Sequence, residues 1–307
     1  MGRPKPVTIL RAATLLCIAS ALVYAEPASS LGNLKVDVSM RNVMYHFTGR
    51  IAVHIHQLSG FLTPSARHAF PVFDDNRSFI LHIDSARISI TTQAMSSILN
   101  DHVFAAPDAP LKSISIVAEG NRLKIKGKLH SKGDIPFESE GTLALTPQGE
   151  IRIHSSKVKA AHLPVKGLMD LLGVHISDLI NSHKVRGVRA ENNDLLLNSE
   201  QILPPPMIVG RLTAIELQGN TIVEHFGQNR SSPLPQGNYM TYRGGRLRFG
   251  KLTMDDTDMQ LIDMDQRDPF DFYLDHYKEQ LVAGYTKTTP AFGLRVFMRD
   301  YGKLRKK

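Results

Sequence analysis

The chain has 307 residues, with Lys+Arg at 37 against Asp+Glu at 29, a formal net charge of +8, one Cys and no Trp. That length supplies one large or two ordinary cores, so disorder is not the default. So modest a charge is a weak nucleic-acid signal, and a lone cysteine permits neither a disulfide framework nor a Cys-based zinc site.

Residues 1–25 follow secretory logic: Arg3, Lys5 and Arg11 make a basic start, residues 12–24 are mostly apolar, and Val23-Tyr24-Ala25 offers a cleavage site before Glu26. The apolar run is too short to span a bilayer comfortably. The expectation is therefore a cleaved signal peptide and a mature, soluble chain exported to the periplasm or cell envelope. Cys17 follows Leu15-Leu16, whereas a lipoprotein cysteine ordinarily follows a small residue, so it reads as part of the signal. Cleavage would remove three cations and no anion, leaving a net charge of +5 and no thiol for catalysis.

Residues 34–41 and 45–57 carry alternating or continuous apolar runs rich in β-branched residues ("GRIAVHIHQL") and predict strands, as does 79–90 ("FILHIDSARISI"). A stretch rich in Pro, Asp and Asn near 63–78 separates them. At 91–104 the period changes: Met95, Ile98 and Leu99 fall at i, i+3, i+4 behind Thr91 or Thr92 as cap, which predicts a short amphipathic helix. Period two returns over 113–158 in "SISIVA", "RLKIKGKL", "IPFESEGTLALT" and "EIRIHSSKV". One wet face and one covered face favour antiparallel pairing.

Residues 163–180, "LPVKGLMDLLGVHISDLI", place Val165, Leu168, Met169, Leu172, Ile176, Leu179 and Ile180 on one helical stripe, with Lys166, Asp170, Gly173 and Ser177 opposite. The polar face lacks the many cations of a membrane-surface helix, so the stripe is expected to pack on the sheet. Gly173 can divide the run in two. Thr146-Pro147-Gln148-Gly149, Gly219-Asn220 and Gly244-Gly245 each suit a hairpin turn, the last joining "YMTYR" to "RLRFGKLTM". Residues 228–237 read as a linker. In "RDPFDFYLDHYKEQLVAG", Asp268 as cap, Pro269 at the first position and Gly284 at the end predict one helix, with Phe270, Tyr273, Leu274, Tyr277 and Leu281 along its stripe. A strand, "GLRVFM", follows. Long strands interrupted by two or three helices make the fold class α+β.

Nucleophile elbows, P-loops, Rossmann glycine patterns and HExxH are absent from the sequence, which favours a non-enzymatic protein. His54 and His56 share one strand face, a spacing open to a metal but equally that of two polar-face residues. Eight aspartates between Asp255 and Asp275 admit calcium binding, although no Gly supplies an EF-hand turn; a solvated strand and a helix cap account for most of them. Neither catalytic residues nor metal ligands are assigned. Carbohydrate recognition is disfavoured by 7% aromatics and no Trp. The cations of "KLRKK" and of Arg243, Arg246, Arg248 and Lys251 fit anionic lipid head groups or plain solvation.

The run from "ISITTQAMSSILN" through "LKIKGKL", "PFESEGTLALTPQGEIRI", "LPVKGLMDLLGVHISDLI" and "VRGVRAENNDLLLN" to "LTAIELQGNTIVEHFG" resembles the bacterial LmeA-like envelope proteins, related to the tubular lipid-binding (TULIP) superfamily. The resemblance covers about residues 85–227. It implies a long, curled antiparallel meander wrapped around two or three helices, with an apolar groove for lipid acyl chains and no catalytic residue or cofactor. Groove-lining candidates are Ile90, Met95, Ile98 and Leu99 from the first helix region and Leu168, Leu172, Ile176 and Leu179 from the second; each would serve equally as a core residue. On this reading residues 26–227 form the lipid-binding domain, 228–237 the linker and 238–307 a C-terminal hairpin, helix and strand.

The implied partner is a phospholipid or other acyl lipid, with transient membrane contact and no nucleic acid. Burial of one CH2 is worth about 0.8 kcal/mol, so 16 carbons correspond to roughly 12 kcal/mol gross. A groove as apolar as the bilayer makes exchange nearly neutral. The alternative is an envelope structural or assembly protein acting through protein contacts; an enzyme built on the acidic segment is least favoured.

Overall fold

The computed structural model describes Gly2 and residues 35–130, 134–160, 163–165, 185–191, 194–227 and 234–304. The signal-like segment lies outside these, as do Leu168, Leu172, Ile176, Leu179 and all of the helix expected at 163–180 except Leu163–Val165, which form a short strand instead. Among the described residues no helix is long and apolar enough to cross a membrane.

The chain opens with β1 (Val36–His46), β2 (Ala52–Pro64), β3 (Phe79–Thr91) and helix α1 (Thr92–Ile98), which runs into one π-turn over Leu99–Val103. Then come β4 (Leu111–Glu119), β5 (Arg122–His130), β6 (Asp134–Leu145), β7 (Ile151–Ala160), β8 (Leu163–Val165), β9 (Val188–Glu191), β10 (Asp194–Leu197) and helix α2 (Ser199–Ile202). The remainder is β11 (Met207–Val209), β12 (Leu212–Gln218), β13 (Thr221–Gly227), β14 (Tyr239–Arg243), β15 (Leu247–Phe249), β16 (Leu252–Met254), β17 (Asp258–Asp263), β18 (Phe270–Tyr273), helix α3 (Tyr277–Val282), β19 (Tyr285–Thr288) and β20 (Leu294–Met298).

Two sheets dominate. The first has the order β12-β13-β3-β2-β1-β14-β17-β20-β19, with β11 beside β3 and β18 beside β1; it curls into a half-barrel. The second has the order β4-β5-β6-β7-β10-β9, with β8 beside β7. Pairing is antiparallel except at β1–β18, β3–β11 and β17–β20, consistent with an α+β class rich in strands. Strands from both ends of the chain thus share one sheet, since β14 pairs with β1.

The alternation that predicts strands decides which face is covered, and bulges keep it in phase along strands this long. In β1, Val36, Val38 and Met40 point inward, then Val43 and Tyr45 do. The one-residue shift is absorbed by Asn42, whose φ of 49° lies in the left-handed region that Asn tolerates. Asn42 Nδ2 donates to Asn238 Oδ1 at 2.7 Å, which holds that residue in place. β2 shifts phase between Ile55 and Leu58, and β3 shifts between Ile83 and Ala86, with Asp84 as its extra residue; this second slip lies opposite Gly60, where a Cβ would stand 2.0 Å from the His82 carbonyl oxygen. The inner faces of both sheets join one continuous core that also takes in Met95, Ile98 and Leu99.

Helix α1 begins where the sequence places it. Thr91 Oγ1 accepts from the Ala94 N–H at 3.0 Å, and the π-turn is tied to β4 by Asn100, whose side chain bonds both the N–H and the carbonyl of Ile114. Thr91→Ala is expected to cost about 1 kcal/mol in a urea titration, the usual worth of such a cap; an unchanged midpoint would show that tertiary contacts alone hold the helix.

Three sequence expectations are corrected. The predicted helix from Asp268 to Gly284 is a strand, β18, followed by a short 3₁₀ turn and α3. Phe270 and Phe272 alternate into the core, both fully buried, and β18 gains parallel pairing with Val43–His46, so sheet burial outweighs the helical stripe. Gly244 and Gly245 do take positive φ, 69° and 53°, but they do not turn a hairpin between "YMTYR" and "RLRFGKLTM". The chain leaves the sheet there, forms the separate β15–β16 ribbon, and returns so that β14 pairs with Asp258–Asp263. Residues 42–44, left outside the strands predicted at 34–41 and 45–57, belong to β1, and the β1–β2 turn lies at 47–51, closed by Phe47 N–H to the Ile51 carbonyl at 2.9 Å.

Candidate functional site

The inner face of the half-barrel does not close completely. A cavity of about 60 Å3 remains under β1, β2, β3, β11 and β13, lined by Leu58, Leu81, Ile83, Ile88, Ile90, Ile208 and Phe226 among others. Of its lining residues only Leu203 and Leu274 keep partial exposure; the rest are buried. A second void of about 30 Å3 lies under the other sheet, lined by Leu99, Phe104, Ile116, Ile125, Phe137 and Ile153. Since one water needs about 10–15 Å3, the first void has the volume of a few waters and the second of one or two. Both are walled almost wholly by carbon.

Of the predicted groove residues, Ile90 lines the larger void and Leu99 the smaller. Met95 and Ile98 are fully buried and border neither, so they serve packing between α1 and the sheets. The larger void is lined by one carboxyl that sequence reading passed over. Glu224 is 2% exposed and sits on β13 opposite Ile88 of β3 and Ile215 of β12. Among the described residues its carboxyl has neither a hydrogen-bond nor an ion-pair partner, and burial pushes its pKa up to about 7. Period two offered the signal: Ile222, Glu224 and Phe226 alternate on one face, which places the carboxyl where an apolar residue belongs.

Outside the sheet, the wet face of β2 and β3 forms an open cleft of about 610 Å3 that includes His54, His56, Arg87 and Ser89. The two imidazoles stand 4.0 Å apart, with His54 Nε2 at 2.9 Å from Asn42 Oδ1 and His56 Nε2 at 2.6 Å from Ser89 Oγ. Burial, assisted by neighbouring His54, Arg87 and His225, lowers the His56 pKa to about 4; burial and Arg87 lower that of His54. Both are neutral at pH 7, and each Nε2 already holds a side-chain partner.

The acidic segment gathers Asp265 and Asp268 with Asp300, close enough together for a cation. Lys303 Nζ occupies that position, 2.8 Å from a carboxylate oxygen of each. Arg267, then Lys303, hold the Asp265 carboxyl far below the usual carboxylate range. In Lys303→Met that carboxyl should titrate at higher pH, read by carbon NMR; an unchanged titration would mean Arg267 alone sets it. Asp268 caps no helix: its carboxylate holds Lys303 and its carbonyl accepts from Asn238 Nδ2.

No family model, curated protein or solved structure matches the chain.

Proposed function

We propose that the chain is a non-enzymatic carrier of acyl lipid in the cell envelope, with a TULIP-like fold in which the half-barrel wall receives the acyl chain. Phospholipid is the ligand that the resemblance to LmeA-like proteins implies. The observation that carries the reading is the carbon-lined cavity under a sheet whose inner strands are otherwise tightly packed, with Leu203 and Leu274 as its partly exposed lining. Unfilled volume forfeits dispersion contacts, so the void costs stability unless something fills it. At about 60 Å3 the void is smaller than an acyl chain and must widen to take one.

A cavity-filling variant tests this. Ile208→Phe puts a ring into the void, and the expected result is a stable protein that loses the lipid co-purifying with wild type, scored by native mass spectrometry and organic extraction. Equal lipid content in both, or wild-type protein that is always empty, would contradict the reading.

A second reading, assembly through protein contacts, draws on the edge strand β19, whose four residues are all exposed beside Val282 at 85% and Phe292 at 91% exposure. An open strand edge recruits partner strands. Crosslinking in intact envelopes that captured one dominant protein, lost in Val282→Asp with Phe292→Asp, would favour it.

A further inference from the structure

Glu224 is difficult to explain as a structural residue. It lies within the inner stripe of β13, flanked by Ile222 and Phe226 and facing the carbon-lined void. Buried polar groups are nearly always hydrogen-bonded, and a buried carboxyl without a partner is a penalty that Leu or Ile at the same position would remove. Among the described residues neither tyrosine of the same lining bonds it: Tyr242 Oη donates toward Met240 Sδ at 3.9 Å, and no hydrogen bond joins Tyr45 to Glu224. A chain methyl placed beside Glu224 would leave it as unsatisfied as before, and a phosphate would set a second negative charge against it in a low-dielectric site. A hydrogen-bond donor carrying no negative charge is the chemistry that satisfies it.

We propose that Glu224 is the head-group receptor of the cavity, accepting a hydrogen bond from the ammonium or hydroxyl head of a single-chain amphiphile and turning away anionic heads. The inference rests on the apolar-ligand reading above and narrows it, because a phospholipid could then place only its tail inside. Since burial raises the Glu224 pKa to about 7, the carboxylate fraction grows between pH 6 and pH 8. Binding of an ammonium head should tighten over that interval, while binding of a hydroxyl head should change little.

The test is calorimetric titration of the full chain with decylammonium, decanol and decyl phosphate, three probes with one tail and different heads, at pH 6 and pH 8. Wild type is expected at pH 8 to bind decylammonium about tenfold more tightly than decyl phosphate, the usual worth of a charge-assisted hydrogen bond. Glu224→Gln should erase that difference and the pH dependence while still binding decanol. Equal affinity for all three heads, unchanged in Glu224→Gln, would overturn the receptor role yet leave the apolar-chain reading standing. Failure of every probe to bind wild type would overturn both. If Glu224→Gln did not fold, the order of heads and its pH dependence in wild type would decide the matter alone.

Discussion

At pH 8, Glu224→Gln is expected to be more stable than the wild-type chain by about 3 kcal/mol, and at pH 4 the two should be nearly equal. The sign follows from proton binding. The carboxyl has an ordinary pKa of 4.5 in the unfolded chain and about 7 when folded, so between these values the unfolded state releases a proton that the folded state keeps. Rising pH therefore draws the wild type toward unfolding through this window, and the loss is complete above about pH 7. Gln keeps the shape and a polar end but has nothing to ionise. Urea midpoints of both proteins from pH 4 to pH 8 measure the difference directly, with other titrating groups cancelling in the comparison. Parallel curves would mean that the carboxyl is solvated or paired, and would remove the physical basis for a receptor role.

The second large effect is expected from Phe272→Ala, at about 3–5 kcal/mol of destabilisation. Phe272 is fully buried, with ring centroids 5.5 Å from Tyr45 and 5.8 Å from Phe270. Its backbone pairs with Tyr45 of β1. Val282→Ala, on α3 and almost fully exposed, should change stability by less than about 0.5 kcal/mol. A surface helix over this segment would predict the reverse weighting for Phe272, so a loss under about 1 kcal/mol would contradict the strand assignment. Denaturant midpoints again decide it.

These two residues also show what was and was not legible in the sequence. Alternation located β3 almost to the residue, the Thr91 cap located α1, and the turns at 146–149 and 219–220 join the strands expected of them. Phe270 and Phe272 misled because "PFDFYLDHYKEQL" satisfies two periods at once: two for its first four residues, near four for the whole. Only the partner strand settles such a tie, and that partner, β1, is more than two hundred residues earlier in the chain. The Gly244-Gly245 pair failed differently. Positive φ is a local property and was readable, but whether the chain then doubles back or wanders is set by where the next strand finds a partner.

The candidate site was half legible. Ile90 and Leu99 reach the voids because each belongs to an inner or helical stripe that the pattern identifies, but periodicity cannot tell a filled core from one with a gap. Met95 and Ile98, with the same pattern, border no gap. Glu224 was within reach, since an acid in phase with Ile222 and Phe226 is a detectable break in the rule that buried positions are apolar.

Photocrosslinking with a lipid that carries a diazirine midway along its acyl chain, followed by peptide mapping of the adducts, locates the chain on the protein. Adducts are expected on the inner strands, at Ile83 or Ile88 of β3 and Phe226 of β13, and should be lost in Ile208→Phe. Adducts confined to the wet cleft around His54 and His56 or to the exposed Val282 and Phe292, with none on the inner strands, would contradict that placement.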